Sequence, residues 1–118
     1  MNELPRNTSL NPISIKLYRR EAHLLRDYLL KILADVYELQ GAAPTSHLIL
    51  SEWLCTKFMA RSFRIEQGSP ALPKSVIILL SIARILVTEM TNTPIPAHLN
   101  MVLGQIHRQL TNRNFLPQ

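Results

Sequence analysis

Seven residues, Tyr18, Ala22, Leu25, Leu29, Ile32, Val36 and Leu39, recur at spacings of 4, 3, 4, 3, 4 and 3. With 3.6 residues per turn, an α-helix brings positions three and four apart onto one face, so this rhythm predicts a helical seam. A second row, Leu17, Leu24, Tyr28, Leu33 and Tyr37, flanks the first. Two adjacent seams make an apolar arc wider than a helix needs to dock on one neighbour. Asn11 and Pro12 stand where a cap and a first helical residue are favoured, and Leu10 and Ile15 are placed for a hydrophobic staple. Gly41 follows Gln40 where a left-handed helix terminus is wanted. The pattern predicts one rod over residues 12–40, roughly 43 Å long at 1.5 Å per residue.

Three more helices are expected. Leu50, Trp53, Leu54 and Phe58 mark the apolar side of a second, over residues 46–64, after the connector Ala42-Ala43-Pro44. Gly68 and Pro70 punctuate a loop over 66–72. Pro73 opens a third helix reaching Thr91. Its run Val76–Leu80 is apolar on every side, which predicts central burial. The β-branched content there also allows a strand, but the apolar stretch continues to Val87, too far for a typical buried strand. After the prolines at 94 and 96, Leu99, Leu103, Ile106 and Leu110 define a fourth helix over 96–112. Gly104 lies inside it, at a cost of about 1 kcal/mol unless close packing compensates.

The expected fold class is all-α, a four-helix bundle-like single domain over residues 11–113 with a long first helix. Residues 1–10 read as a flexible N-terminal arm and 114–118 as a C-terminal tail. A helix-turn-helix within residues 28–64 is the competing topology, although the stretch Gly41–Ser46 is longer than such a turn uses. No internal repeat at solenoid periods is visible.

Composition narrows the picture. At 118 residues and 47% hydrophobic content, the chain can bury a core without staples. Aromatics make up only 6%, so that core is aliphatic. Cys55 is the only cysteine, which excludes an intrachain disulfide and agrees with a reducing compartment. Residues 1–9 lack the apolar region of a secretory signal, and Arg84 interrupts the most apolar window, so a soluble, cytoplasmic protein is expected. Trp53 and Cys55 are both expected in the core.

Net charge is +5 and the pI about 9.9, a balance that favours anionic partners. Two groups of bases stand out. Lys16, Arg19, Arg20, His23 and Arg26 fall within one third of the circumference of the first helix, and Lys57, Arg61 and Arg64 lie at i, i+4 and i+7 on the second. Either group suits phosphates; either also reads as an ordinary solvated face. Catalytic patterns are absent. His23, His47, His98 and His107 fall on separate segments, and the three glycines are scattered, so no enzyme activity, metal or cofactor is expected.

The leading expectation is a nucleic-acid-binding regulatory protein acting as an oligomer. Lys16, Arg19, Arg20, Arg26, Lys57, Arg61 and Arg64 are its phosphate or anion contacts. The alternative is a protein-interaction adaptor or chaperone-like subunit. It would use Leu17, Leu24, Tyr28, Leu33 and Tyr37 as the interface, toward a second copy, a hetero-partner or an acidic protein surface. A basic amphipathic helix is also compatible with a membrane surface. Both readings lean on residues 12–40 forming one rod with more apolar surface than a lone domain can hide.

Overall fold

The rod does not form. The computed structural model describes residues 11–38 and 42–112, and it divides the stretch into strand β1 (Ile13–Leu17), helix α1 (Arg19–Ile32) and short helix α2 (Ala34–Glu38). Ile13, Ile15 and Leu17 are buried while Ser14 and Lys16 are exposed, the period-2 pattern of a strand packed on one face. Pro12 therefore leads into a strand instead of opening a helix. At Tyr18 the backbone is extended (φ −74°, ψ 163°). Its carbonyl accepts the first helical bond, from the Ala22 N–H at 2.9 Å, and its own N–H donates to Glu21 Oε1 at 2.9 Å. The arm, Leu39, the cap at Gly41 and the tail lie outside the described residues.

The expected third helix is also two elements. Strand β2 covers Lys74–Ile78, Leu79 is extended (φ −63°, ψ 149°), and helix α5 runs Leu80–Asn92. Ile77 is 64% exposed and Leu79 55%, so the run is not buried on all sides. The two strands pair antiparallel, with Ile13 opposite Ile78, Ile15 opposite Val76 and Leu17 opposite Lys74.

The second and fourth helices fall where expected. Helix α3 (Thr45–Trp53), a π-helical stretch (Leu54–Phe58) and helix α4 (Met59–Glu66) run on without a break. A 3₁₀ turn (Ala97–Leu99) leads into helix α6 (Asn100–Asn112). Nothing packs within 4 Å of where a Gly104 side chain would begin, so no close approach explains that glycine. The chain is thus mainly helical with one small sheet. Strands take the places of the first turns of two expected helices, and the elements do not reduce to an up-down bundle.

The inner face of the ribbon (Ile13, Ile15, Leu17, Val76 and Ile78) closes over an aliphatic core from α1, α3, α5 and α6. Trp53 belongs to that core, as expected, and stacks on Phe58 with ring centroids 5.0 Å apart. Five residues on an α-helix turn the side chain about 140° away. The wider π turn brings the two rings into register.

A two-stranded ribbon has two open edges. On the β1 side, the side chain of Gln105 accepts from the Lys16 N–H at 2.9 Å and donates to the Lys16 carbonyl at 2.8 Å. Gln109 does the same at Ser14, accepting at 3.4 Å and donating at 2.5 Å. Four residues of helix advance about 6 Å, close to the two residues of strand separating Ser14 from Lys16. Two glutamines one turn apart therefore act as a third strand. On the β2 side, Arg61 of α4 donates to the Ser75 carbonyl at 2.7 Å.

Aligned from Ile13 and Lys74, the two strand–helix units correspond closely. Each is a five-residue strand, one extended residue and a helix. The first helical bonds match, Ala22 N–H to Tyr18 O and Ala83 N–H to Leu79 O, both at 2.9 Å. Ala22, Leu25, Arg26 and Leu29 are buried, and so are their equivalents Ala83, Leu86, Val87 and Met90. The equivalent residues Ile15 and Val76 face each other in the ribbon, as a local twofold axis requires. Each strand is also met by a helix from outside the two units: α4, just before β2, reaches β2, and α6, after the second unit, reaches β1. This repeat is absent from the sequence reading.

Leu25→Ala and Leu86→Ala remove equivalent, fully buried side chains. Each is expected to cost about 3 kcal/mol in urea unfolding, with the two losses within about 1 kcal/mol of each other.

Candidate functional site

Lys16 is on a strand, and that changes its neighbours. The outward face of the ribbon carries Ser14, Lys16, Ser75 and Ile77, with Ser14 opposite Ile77 and Lys16 opposite Ser75. Helix α4 faces the β2 edge across a cleft, which the Arg61 bond to the Ser75 carbonyl bridges. Lys57, Arg61 and Arg64 line a cleft of about 370 Å³ together with Ser75, Val76 and Ile77. The buried Trp53–Phe58 stack backs this cleft. One extra residue in a turn rotates everything after it by about 100°, so the π stretch sets the direction in which Arg61 points.

Five of the seven carboxylates among the described residues are engaged elsewhere. Glu21 accepts from Tyr18, Asp27 lies 3.3 Å from His23, Glu66 pairs with Arg26, and Asp35 and Glu89 both face His47. Among the described residues, none pairs with Lys16, Lys57, Arg61 or Arg64. The ribbon face and its flanking row therefore keep their positive charge.

The first basic row does not survive as a row. Lys16 leaves it for the ribbon. Arg19 donates to the Gly68 carbonyl at 3.2 Å, and Arg19, Arg20 and His23 line a separate cleft of about 480 Å³ beside Glu66. Arg26 is 7% exposed. It is ion-paired with Glu66, donates to Ser62 Oγ at 3.1 Å and lies 4.3 Å from the centre of the Phe63 ring. Packing of α1 on α4 turns Arg26 inward, where Glu66 matches its charge.

The expected interface is largely internal too. Leu17, Tyr28 and Leu33 are buried, Leu24 is half-buried, and Tyr37 alone is well exposed, at 65%. Among the described residues, most of the double seam closes the chain's own core, while Tyr18 and Tyr37 stay exposed. Cys55 is exposed and not buried as expected; its Sγ lies 3.7 Å from the Tyr37 hydroxyl.

A cluster around His47 has no counterpart in the sequence reading, because its members lie on three elements. His47 on α3 points Nδ1 at Asp35 of α2, at 2.9 Å, and Nε2 at Glu89 of α5, at 3.1 Å. Partial burial acts to lower the imidazole pKa, but the hydrogen bonds and charges of both carboxylates outweigh it, and the net shift is upward. Both ring nitrogens are occupied, so the group serves as a clamp between helices and has no nitrogen left to act as a base. Nearby, the Tyr28 hydroxyl bonds Thr93 Oγ1, which donates to the Glu89 carbonyl at 2.7 Å. Burial raises the Tyr28 pKa, the Thr93 bond opposes this, and the Glu89 charge adds to it, so the phenol stays neutral. Among the described residues, no cluster of His, Cys, Asp and Glu is arranged to hold a metal, and no helix is long and apolar enough to cross a membrane.

The His47 clamp predicts a pH signature. Because the folded pKa lies above the unfolded one, its stabilisation is complete below about pH 6.5 and disappears as pH rises through the folded value. Against His47→Gln, the wild type should gain about 1–2 kcal/mol near pH 6 and progressively less at alkaline pH, as read from urea melts. A gap independent of pH contradicts an ionic clamp. Arg26→Ala should cost about 2–3 kcal/mol, less than a fully enclosed pair because Glu66 is partly exposed, and should leave the ribbon face intact.

Comparison with protein families, with curated proteins and with solved structures finds no match for this chain.

Proposed function

We propose that this protein binds nucleic acid through the outward face of its ribbon and the Lys57–Arg61–Arg64 row beside it. One observation carries the reading. The Arg61–Ser75 bond ties the row to β2, so that Lys57, Arg61 and Arg64 share a cleft with Ser75 and Ile77, Lys16 stands opposite Ser75 on the ribbon, and no carboxylate pairs with these four cations among the described residues. Arginine forks and lysine ammonium groups suit phosphate oxygens. Ser14 and Ser75 are short enough to let the backbone come close to a ligand. The overall charge of +5 draws a polyanion from a distance. Arg19 and Arg20, exposed at the start of α1, line the separate cleft beside Glu66.

Arg26 drops out of the contact set, because Glu66 already satisfies it. The rod that both expectations leaned on is absent: the oligomer and adaptor readings lose their support with the seam inside the fold, and the nucleic-acid reading stands on the ribbon face and its flanking row instead. The role that fits is a regulatory binding protein working as a single chain, with one unpaired cysteine suited to a reducing, cytoplasmic setting.

Fluorescence anisotropy with labelled mixed-sequence nucleic acid, between about 50 and 200 mM salt, tests the reading. Affinity should fall linearly on a log–log plot. Lys57→Ala with Arg64→Ala should weaken binding about tenfold, reduce the salt slope by about 2, and leave the melting temperature unchanged. Arg26→Ala, measured where it is folded, should bind as the wild type does. Absence of binding at the low-salt end, or binding indifferent to salt, refutes the proposal.

A further inference from the structure

We infer that the nucleic acid this face takes is double-stranded DNA, with the ribbon's outward side chains in the major groove and the Lys57–Arg61–Arg64 row on one flanking backbone. The inference rests on the nucleic-acid reading above and deepens it in three steps.

Width comes first. The outward side chains of two strands about 4.8 Å apart form a ridge that a groove about 12 Å wide admits and one about 6 Å wide does not; α6 and α4, bonded to the ribbon's edges, limit entry to those side chains. The B-form major groove meets that requirement; the major groove of A-form RNA is too narrow, and its wide minor groove is too shallow for side chains to enter.

The surface chemistry comes second. Single-strand binders stack bases on exposed aromatic rings. Ser14, Lys16, Ser75 and Ile77 include no aromatic, and the rings behind the neighbouring cleft, Trp53 and Phe58, are buried at 5% and 1% exposure. A face of small hydroxyls, one ammonium and one aliphatic group suits base edges read side-on. Hydroxyls accept or donate there, lysine reaches guanine acceptors, and an aliphatic side chain meets the thymine methyl.

Symmetry comes third. The two antiparallel strands of a duplex are related by twofold axes perpendicular to the helix, and a single strand has none. The ribbon has its own local twofold, centred on Ile15 and Val76. Laid on a duplex dyad, the equivalent hydroxyls Ser14 and Ser75 meet equivalent positions on opposite DNA strands. Lys16 and Ile77 are also equivalent, yet one is cationic and the other aliphatic. The two half-sites are therefore read differently, and the added cations of α4 flank the β2 side only.

The test uses the full chain and four anisotropy probes: a short mixed-sequence DNA duplex, each of its strands alone, and the RNA duplex of the same sequence. The DNA duplex should bind at least about tenfold tighter than the others. Ser14→Glu and Ile77→Glu, each at an exposed position, should each weaken duplex binding by about tenfold or more with unchanged thermal melts. If either fails to fold, the other decides. Single strands or RNA binding as tightly as duplex DNA overturns the inference and leaves the broader reading standing. Folded glutamate variants that bind duplex like the wild type also overturn it. Failure to bind any probe removes both.

Discussion

A pair of β-strands standing alone leaves half of its backbone N–H and C=O groups pointing outward with nothing to bond, and such pairs are marginal in water. The architecture follows from how this chain meets that constraint. Gln105 and Gln109 each offer an amide N–H and an amide oxygen to one residue of β1, and the rise of α6 matches the pitch of the strand. Arg61 meets β2 from the other side. These contacts fix the helices beside the ribbon, leave its inner face to Ile13, Ile15, Leu17, Val76 and Ile78, and leave its outer face bare. The β1 edge is thus closed at Ser14 and Lys16, and the β2 edge is met at Ser75, without covering the surface between them.

The charge distribution follows from the same arrangement. Packing α4 against α1 brings Glu66 onto Arg26, and gathering α2, α3 and α5 brings two carboxylates onto His47. Acids are drawn into helix–helix contacts, where they satisfy buried or half-buried cations. Lys16, Lys57, Arg61 and Arg64 stay on the ribbon side without such partners among the described residues. A modest net charge thereby becomes a localised one.

Much of this was readable in the chain, though not all in the right place. The helices over residues 45–66 and 97–112 follow their apolar spacing, but the π stretch at Leu54–Phe58, which redirects Arg61 and Arg64, carries no signal in the sequence. The strict alternation of Ile13-Ser14-Ile15-Lys16-Leu17 is a strand signal, but the heptads immediately downstream absorb Leu17 and Tyr18 into a longer helical pattern. The bends at Tyr18 and Leu79 use neither glycine nor proline, so no breaker marks them. Ile77 read as a core residue because composition cannot tell an apolar side chain that faces in from one that faces out. Gln105 and Gln109 look like any solvated pair on a helix until a strand edge lies beside them. The His47 clamp joins residues far apart in sequence, and the inward turn of Arg26 depends on where α4 packs.

Because both strand–helix units belong to one polypeptide, the paired ribbon cannot come apart on dilution. A ribbon shared between two separate molecules forms in proportion to the square of their concentration, whereas this one is present in every folded copy. Covalent linkage also frees the halves to diverge: a substitution at Lys16 has no enforced echo at Ile77. The fold thus combines the geometry of a symmetric pair with two independently variable surfaces.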